Sequence, residues 1–257
     1  MEREKWIDMG KGIAILSVIF GHLSSLDSKN SIYLLVYAFH MPIFWIISGM
    51  LLSGKDYNNV SMLETIKKKA KSIMYPYVIF SLIIVAYNYI GLNLNLVSKS
   101  QFKLVVKNSV YFRGMNCLWF LPVLFVAEIV FIYLIKHRQN IVLWGISFAV
   151  IATLIAVFLS KTDLFKENPM KMYKKYCLIL PKVCFALSFI SLGYTIKEYF
   201  KIIKKYWLLF ALVGVSVGYY IIKVYHKKTD INYCVIHSPK VFWVCAIMIS
   251  ISVLIIC

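Results

Sequence analysis

Acidic side chains are scarce in this chain: 11 Asp and Glu stand against 29 Lys and Arg in 257 residues, a formal net charge of +18. Cysteine pairs at ligand spacing are missing as well. The six cysteines, Cys117, Cys177, Cys184, Cys234, Cys245 and Cys257, form no C-x-x-C and no Cys/His pattern, so no metal site is expected and most read as small apolar fillers. A disulfide between Cys117 and Cys234 is the one pairing to test. No polar connection is long enough to bury a core of its own; the longest, 160–176, is short and lysine-rich, so no soluble domain is expected. Internal repeats and low-complexity tracts are absent, which argues against a transporter built from inverted repeats. The N-terminal apolar stretch has no A-x-A-like cleavage site and is interrupted by a histidine, so it reads as a retained helix and not a signal peptide.

What remains is apolar. Hydrophobic residues make up 61% of the chain, and the mean hydropathy is +0.75, outside the range of an ordinary soluble domain. Eight runs approach the roughly 20 residues that cross a hydrocarbon core as helix: 7–27, 31–52, 73–92, 117–135, 141–159, 177–196, 206–225 and 240–257. They are too long and continuous for barrel strands. The expected fold is therefore all-α, a polytopic transmembrane helical bundle of about eight helices, forming one integral domain over 1–257.

The basic residues are dispersed among the connections. That distribution suits contact with membrane lipid headgroups and does not suit nucleic acid. Arg3, Lys5, Lys11, Lys55, Lys67, Lys68, Lys69 and Lys71 flank one side of the early spans against Lys29 on the other, which predicts a cytoplasmic N-terminus in a multi-pass cell (inner) membrane protein. "SMLETIKKKAKSIMYPY" reads as a basic amphipathic helix at the cytoplasmic surface, and "SKSQFKLVVKNSVYF" as a second on the opposite surface; for both, the plainer reading is a solvated flank. Abundant Lys, Ile and Asn hint at an AT-rich bacterial genome.

The ionisable groups inside the apolar runs carry the chemistry. The eleven positions from Lys11 to His22 amount to roughly 1100°, within about 20° of a whole number of helical turns, so both side chains share one helix face. Their axial separation is about 16 Å, which puts Lys11 at the inner interface and His22 in the outer half of the membrane. Asp8, three residues before Lys11, lies on the same side and can pair with it. In the next run His40 stands beside Pro42, whose ring crowds the carbonyl of Ala38 and predicts a kink. Gly21 and Gly49 permit close backbone approach. Glu128, an intramembrane carboxylate, should face the interior and have a partner, as a structural group or as a member of the site. Ser48 and Trp119 are candidate lining residues, with Trp119 also suited to packing or an interface anchor. A single membrane histidine is more often a helix contact than a catalyst. Two rings on adjacent helices, with a lysine in register, favour function.

At these residues the sequence resembles the acyltransferase 3 family of integral membrane O-acyltransferases, in particular its sugar O-acetylase-like branch. The resemblance runs through "WIDMGKGIAILSVIFGH", "FHMPIFWIISGML", "KKKAKSIMYPY", "LWFLPVLF" and "ALSFISLGYTIK", and weakly through "KTDINYCVIHSPKVFW". Many relatives have arginine where this chain has Lys11, which keeps the charge and loses the planar fork. Family members carry more helices than the eight counted, so the chain is expected to be short at its C-terminus, as a fragment, a truncated reading frame or a degenerate paralogue. The resemblance implies acetyl-CoA, or another acyl-CoA, as co-substrate, a carbohydrate or glycolipid acceptor in an envelope or exported glycan, and O-acetyltransfer as the activity. Lys11 and Asp8 would then serve the donor, His22 would act as base, and His40 would orient His22, polarise the thioester or bind acceptor. The competing expectation is a non-catalytic protein, either transporter-like or a degenerate family member.

Overall fold

A computed structural model describes residues 4–23, 31–115, 117–161, 179–225, 229–236 and 238–257. Cys177, Lys29, Arg3 and most of the 160–176 connection lie outside the described residues. Among the described residues are nine helices and no strand. They are α1 (Lys5–Leu23), α2 (Ser31–Ser53), α3 (Met62–Asn93), α4 (Lys99–Val110), α5 (Phe120–Lys136), α6 (Ile141–Lys161), α7 (Ile179–Lys205), α8 (Trp207–Tyr220) and α9 (Pro239–Ile256). Seven are long and apolar enough to cross a bilayer, so the protein is an all-α polytopic bundle. The run expected at 117–135 is helical too, and at 17 residues α5 stands at the lower end of spanning length, about 17–25 residues. α7 outruns its apolar stretch by nine residues because "KEYFKIIKK" contains no glycine or proline to stop it. Outward faces are apolar: α8 exposes Leu208, Leu209, Leu212 and Val215, as lipid contact requires.

The chain forms two compact units, Met1–Lys55 with Arg138–Cys257, and Asp56–His137. In the first, α2 is the central element: Ile43, Trp45 and Ile46 are fully buried, and α1, α7 and α9 all pack on it. A Cβ placed at Gly10 of α1 would meet Leu254 and Ile47, and one at Gly21 would meet Tyr37 and Val36. Eleven steps along α1 therefore match eleven steps back along α2, an antiparallel pair in register.

α7 runs the same way as α2, since Trp45 stacks on Phe189 with centroids 6.0 Å apart, and Lys197, further down α7, reaches Glu4 at 2.5 Å. Trp6 stacks on Phe200 at the same end. The α2–α7 crossing is backbone against backbone: a Cβ at Gly49 would stand 2.0 Å from the Ile190 carbonyl oxygen, and one at Gly193 would stand 2.0 Å from that of Ile46. Only glycine permits this approach. α6 closes on α7 where Gly145 faces Ser191, and Trp243 of α9 donates to Thr153 of α6 at 2.9 Å.

In the second unit, the basic segment expected as a surface helix runs without a break into the following span. Five residues, Ala70–Met74, form a π-helical turn just before Pro76, which removes one N–H and crowds the preceding turn; the wider turn absorbs both defects. Glu128 of α5 has the partner its burial demands, the Lys69 ammonium at 2.5 Å. Lys136 donates to the Val60 carbonyl. α4 starts on a capping box of Ser98 and Gln101, and Tyr77 donates to the Ser109 carbonyl at 2.8 Å. Gly114, at φ +62°, lies so close to Trp119 that a Cβ would stand 2.2 Å from its backbone nitrogen. Cys117, in this unit, and Cys234, in the first, carry free thiols.

Candidate active site

α1 is helical throughout 5–23, so Lys11 and His22 do occupy one edge of it. That edge flanks the buried stripe of Ile7, Gly10, Ala14 and Gly21, about 70–90° from its centre at 100° per residue. Lys11 Nζ lies 3.9 Å from Asp8 Oδ1, with both side chains more than a third exposed. His22 is exposed, at the far end of the helix and beside the Gly21–Tyr37 contact.

His40 sits differently. It is buried, seven residues and two turns before Ile47 on the stripe of α2 that faces α1. Its Nδ1 lies 2.8 Å from the Val36 carbonyl oxygen. A carbonyl can only accept, so Nδ1 donates, and in the neutral ring the lone pair lies on Nε2. Tyr37 meets the ring edge-on at 4.9 Å. By the α1–α2 register, His40 is level with Ser17 and His22 with Leu35, so about 7–8 Å of axial rise separates the two imidazoles.

Groups that were not among the expected site residues complete this end of the first unit. Tyr37 hydrogen-bonds to Tyr33 and lies within electrostatic range of Asp230 and Tyr233. These last belong to segment 229–236, a short turn built on Asp230: its carboxylate accepts from the Asn232 N–H at 3.1 Å, and its backbone pairs with Val235. From α7, Lys182 donates to Asn232 Oδ1 at 2.7 Å. Lys182 stands seven residues before Phe189, and two turns back from Trp45 on α2 is Ala38, so this lysine lies at nearly the depth of His40. Cys234, fully buried in the same segment, has its thiol pushed up to about 12 by burial, against the lowering pull of Lys182. The signal for Lys182 was present in "LPKVCFALSF", an ionisable residue in the first turn of an apolar helix.

Ser48 is buried on α2 two turns from His40, in the half nearer Lys11. Trp119 and Glu128 belong to the second unit, where Trp119 is buried edge-on to Phe120 and Glu128 pairs with Lys69. The structure therefore assembles His22, Tyr37, His40, Lys182 and segment 229–236 at one end of the first unit, with Lys11 and Asp8 at the other.

This polytopic helical protein thus holds two imidazoles in one half of an antiparallel helix pair, with a cation three turns from His22 and under two turns from the level of His40. The acyltransferase 3 family model, described as an acyltransferase domain, matches residues 4–257. The chain belongs to that family, which places it among membrane acyltransferases. No curated protein and no solved structure matches it significantly.

Proposed function

We propose that this protein is an O-acetyltransferase of the cell membrane, with its N-terminus cytoplasmic, in the manner of the sugar O-acetylase branch. It moves an acetyl or other short acyl group from acyl-CoA to a hydroxyl of an envelope or exported glycan. The observation that supports this most is the depth match: two imidazoles within about 8 Å of axial rise, and Lys11 on the same edge of α1 as His22, three turns away.

The residues at the Lys11 end suit the phosphates of the donor. Lys11 is half-exposed and only loosely engaged with Asp8 at 3.9 Å, so its ammonium can turn to a phosphate while Asp8 orients it. The slender acyl-bearing arm then extends along the α1–α2 seam. His22, as base, takes the proton of the acceptor hydroxyl; the oxygen attacks the thioester carbonyl, the carbon–sulfur bond breaks, and the imidazolium returns the proton to the departing thiolate. His40, held by the Val36 carbonyl through Nδ1, orients acceptor or imidazole with Nε2.

Membranes carrying the protein should transfer labelled acetyl from acetyl-CoA to glycan. His22→Ala should lower the rate by about 10²–10⁴-fold at unchanged protein level. Lys11→Ala should raise KM for acetyl-CoA by about ten-fold while sparing KM for acceptor. Full transfer by the His22 variant would refute the assignment, and donor uptake into liposomes with no transfer would replace it with a carrier.

A further inference from the structure

A lysine buried in a membrane-spanning helix is costly, and long lysines near helix ends usually extend to water instead. Lys182 does not do so. It lies in the first turn of α7, is 2% exposed, and directs its ammonium to Asn232 Oδ1 at 2.7 Å. A leucine or methionine at this position would fill the space without the desolvation cost. The hydrogen bond joins α7 to a segment fifty residues away that is shaped by the Asp230 turn and one backbone pair and that buries the side chains of Ile231, Cys234 and Ile236. That segment brings Asp230 and Tyr233 within electrostatic range of Tyr37, and Tyr37 packs against the ring of His40.

We propose that Lys182 is a positioning residue of the transfer site, clasping segment 229–236 against the His40 end of α2 and, through Asp230 and Tyr37, holding the imidazole in place. The functional part of this proposal rests on the acyltransfer reading above; the clasp does not. Nothing in the chemistry requires Lys182 to touch substrate. The ammonium–amide bond is charge-assisted, stronger than a neutral one, and it links the segment to α7 near the depth of His40.

Cys234 supplies a direct readout, because its thiol is fully buried while the segment is seated. In membranes, N-ethylmaleimide should label Cys234 slowly in the wild type, with Cys234→Ser as the blank. Lys182→Met and Asn232→Ala should each speed labelling by about ten-fold or more, and Asn232→Asp, which keeps an acceptor for the ammonium, should restore protection. In the transfer assay the same two variants should lower kcat by about ten-fold while leaving KM for acetyl-CoA within about two-fold, since the donor phosphates bind at the other end. Unchanged labelling in both variants would overturn the clasp. Faster labelling with undiminished kcat would overturn the positioning role. A wild type that labels slowly but transfers no acyl group would sink the acyltransfer reading and the positioning role while leaving the clasp standing.

Discussion

The α2–α7 crossing gives a sharp test of how the first unit is built. Gly49→Ala adds one methyl group at a point where it would stand 2.0 Å from the Ile190 carbonyl oxygen and 2.8 Å from the Tyr194 nitrogen. Both obstacles are backbone atoms inside a helix, so neither can rotate away as a side chain would. The two helices must part by well over an ångström before the contact becomes an ordinary one. Separation loosens the packing around Trp45 and Phe189, where close-packed dispersion contacts are lost together. Overpacking a rigid core typically costs about 1–3 kcal/mol, and a clash with backbone belongs at or above the top of that range. Gly12→Ala is the control: nothing lies within 4 Å of its Cβ position, and alanine gains about 1 kcal/mol of helix propensity over glycine. Thermal unfolding of the purified protein in one detergent should show Gly49→Ala and Gly193→Ala melting well below wild type, and Gly12→Ala at or slightly above it. Equal melting temperatures for Gly49→Ala and Gly12→Ala would refute the backbone-contact account of this crossing.

The second unit should depend on its ion pair. Lys69→Met strands the Glu128 carboxylate, and breaking a largely buried pair of this kind costs about 3–5 kcal/mol, so Lys69→Met should lower the melting temperature markedly and Lys69→Met with Glu128→Gln should recover much of the loss. A double variant no better than the single one would mean the carboxylate is not the burden. Segment 229–236 should also respond to alkali. The Cys234 thiol is raised from 9.0 to about 12, so the folded state holds this proton more tightly than the unfolded chain does; the associated stability is fully present below about 9 and is lost as pH rises toward about 12. N-ethylmaleimide labelling of Cys234 should accordingly stay slow between pH 7 and 9, a window in which the exposed Cys117 reacts readily. Matching rates for the two thiols would show the segment open.

The helices were legible because length and apolar continuity decide them in a chain that must satisfy its backbone inside lipid. Register was less so. Gly49 announced a close approach, but the partner that meets it, Ile190 of a helix more than a hundred residues away, follows from tertiary packing alone. The Lys11–His22 edge could be computed, since it lies within one helix. His22's exposure could not, because it depends on which stripe of α1 turns toward α2, and that is set by Gly10, Ala14 and Gly21. Lys182 and Asn232 were invisible as a pair for the same reason: fifty residues separate them, and neither belongs to a repeating pattern. The π-turn at 70–74 was hidden too, because Pro76 signals a defect without saying how the helix will absorb it.

The two histidines are not equivalent in their surroundings, and the proposed transfer gives them different parts. His40 cannot easily turn: its Nδ1 is committed to Val36, and Tyr37 closes on its edge. Such a ring presents one nitrogen at a fixed point, which suits orientation of a partner more than repeated movement of a proton between two reactants. His22 has an exposed side chain at the end of its helix, and in the proposed transfer it is the group that takes the acceptor's proton and returns it to the departing thiolate. On this division, His40→Asn, whose side-chain amide can still donate to the Val36 carbonyl but has no counterpart of Nε2, separates anchoring from presentation. If the anchor to Val36 is all that His40 contributes, His40→Asn should retain most of the transfer rate lost in His40→Ala. If the fixed Nε2 is what matters, the two variants should be equally impaired, and acceptor KM should rise in both.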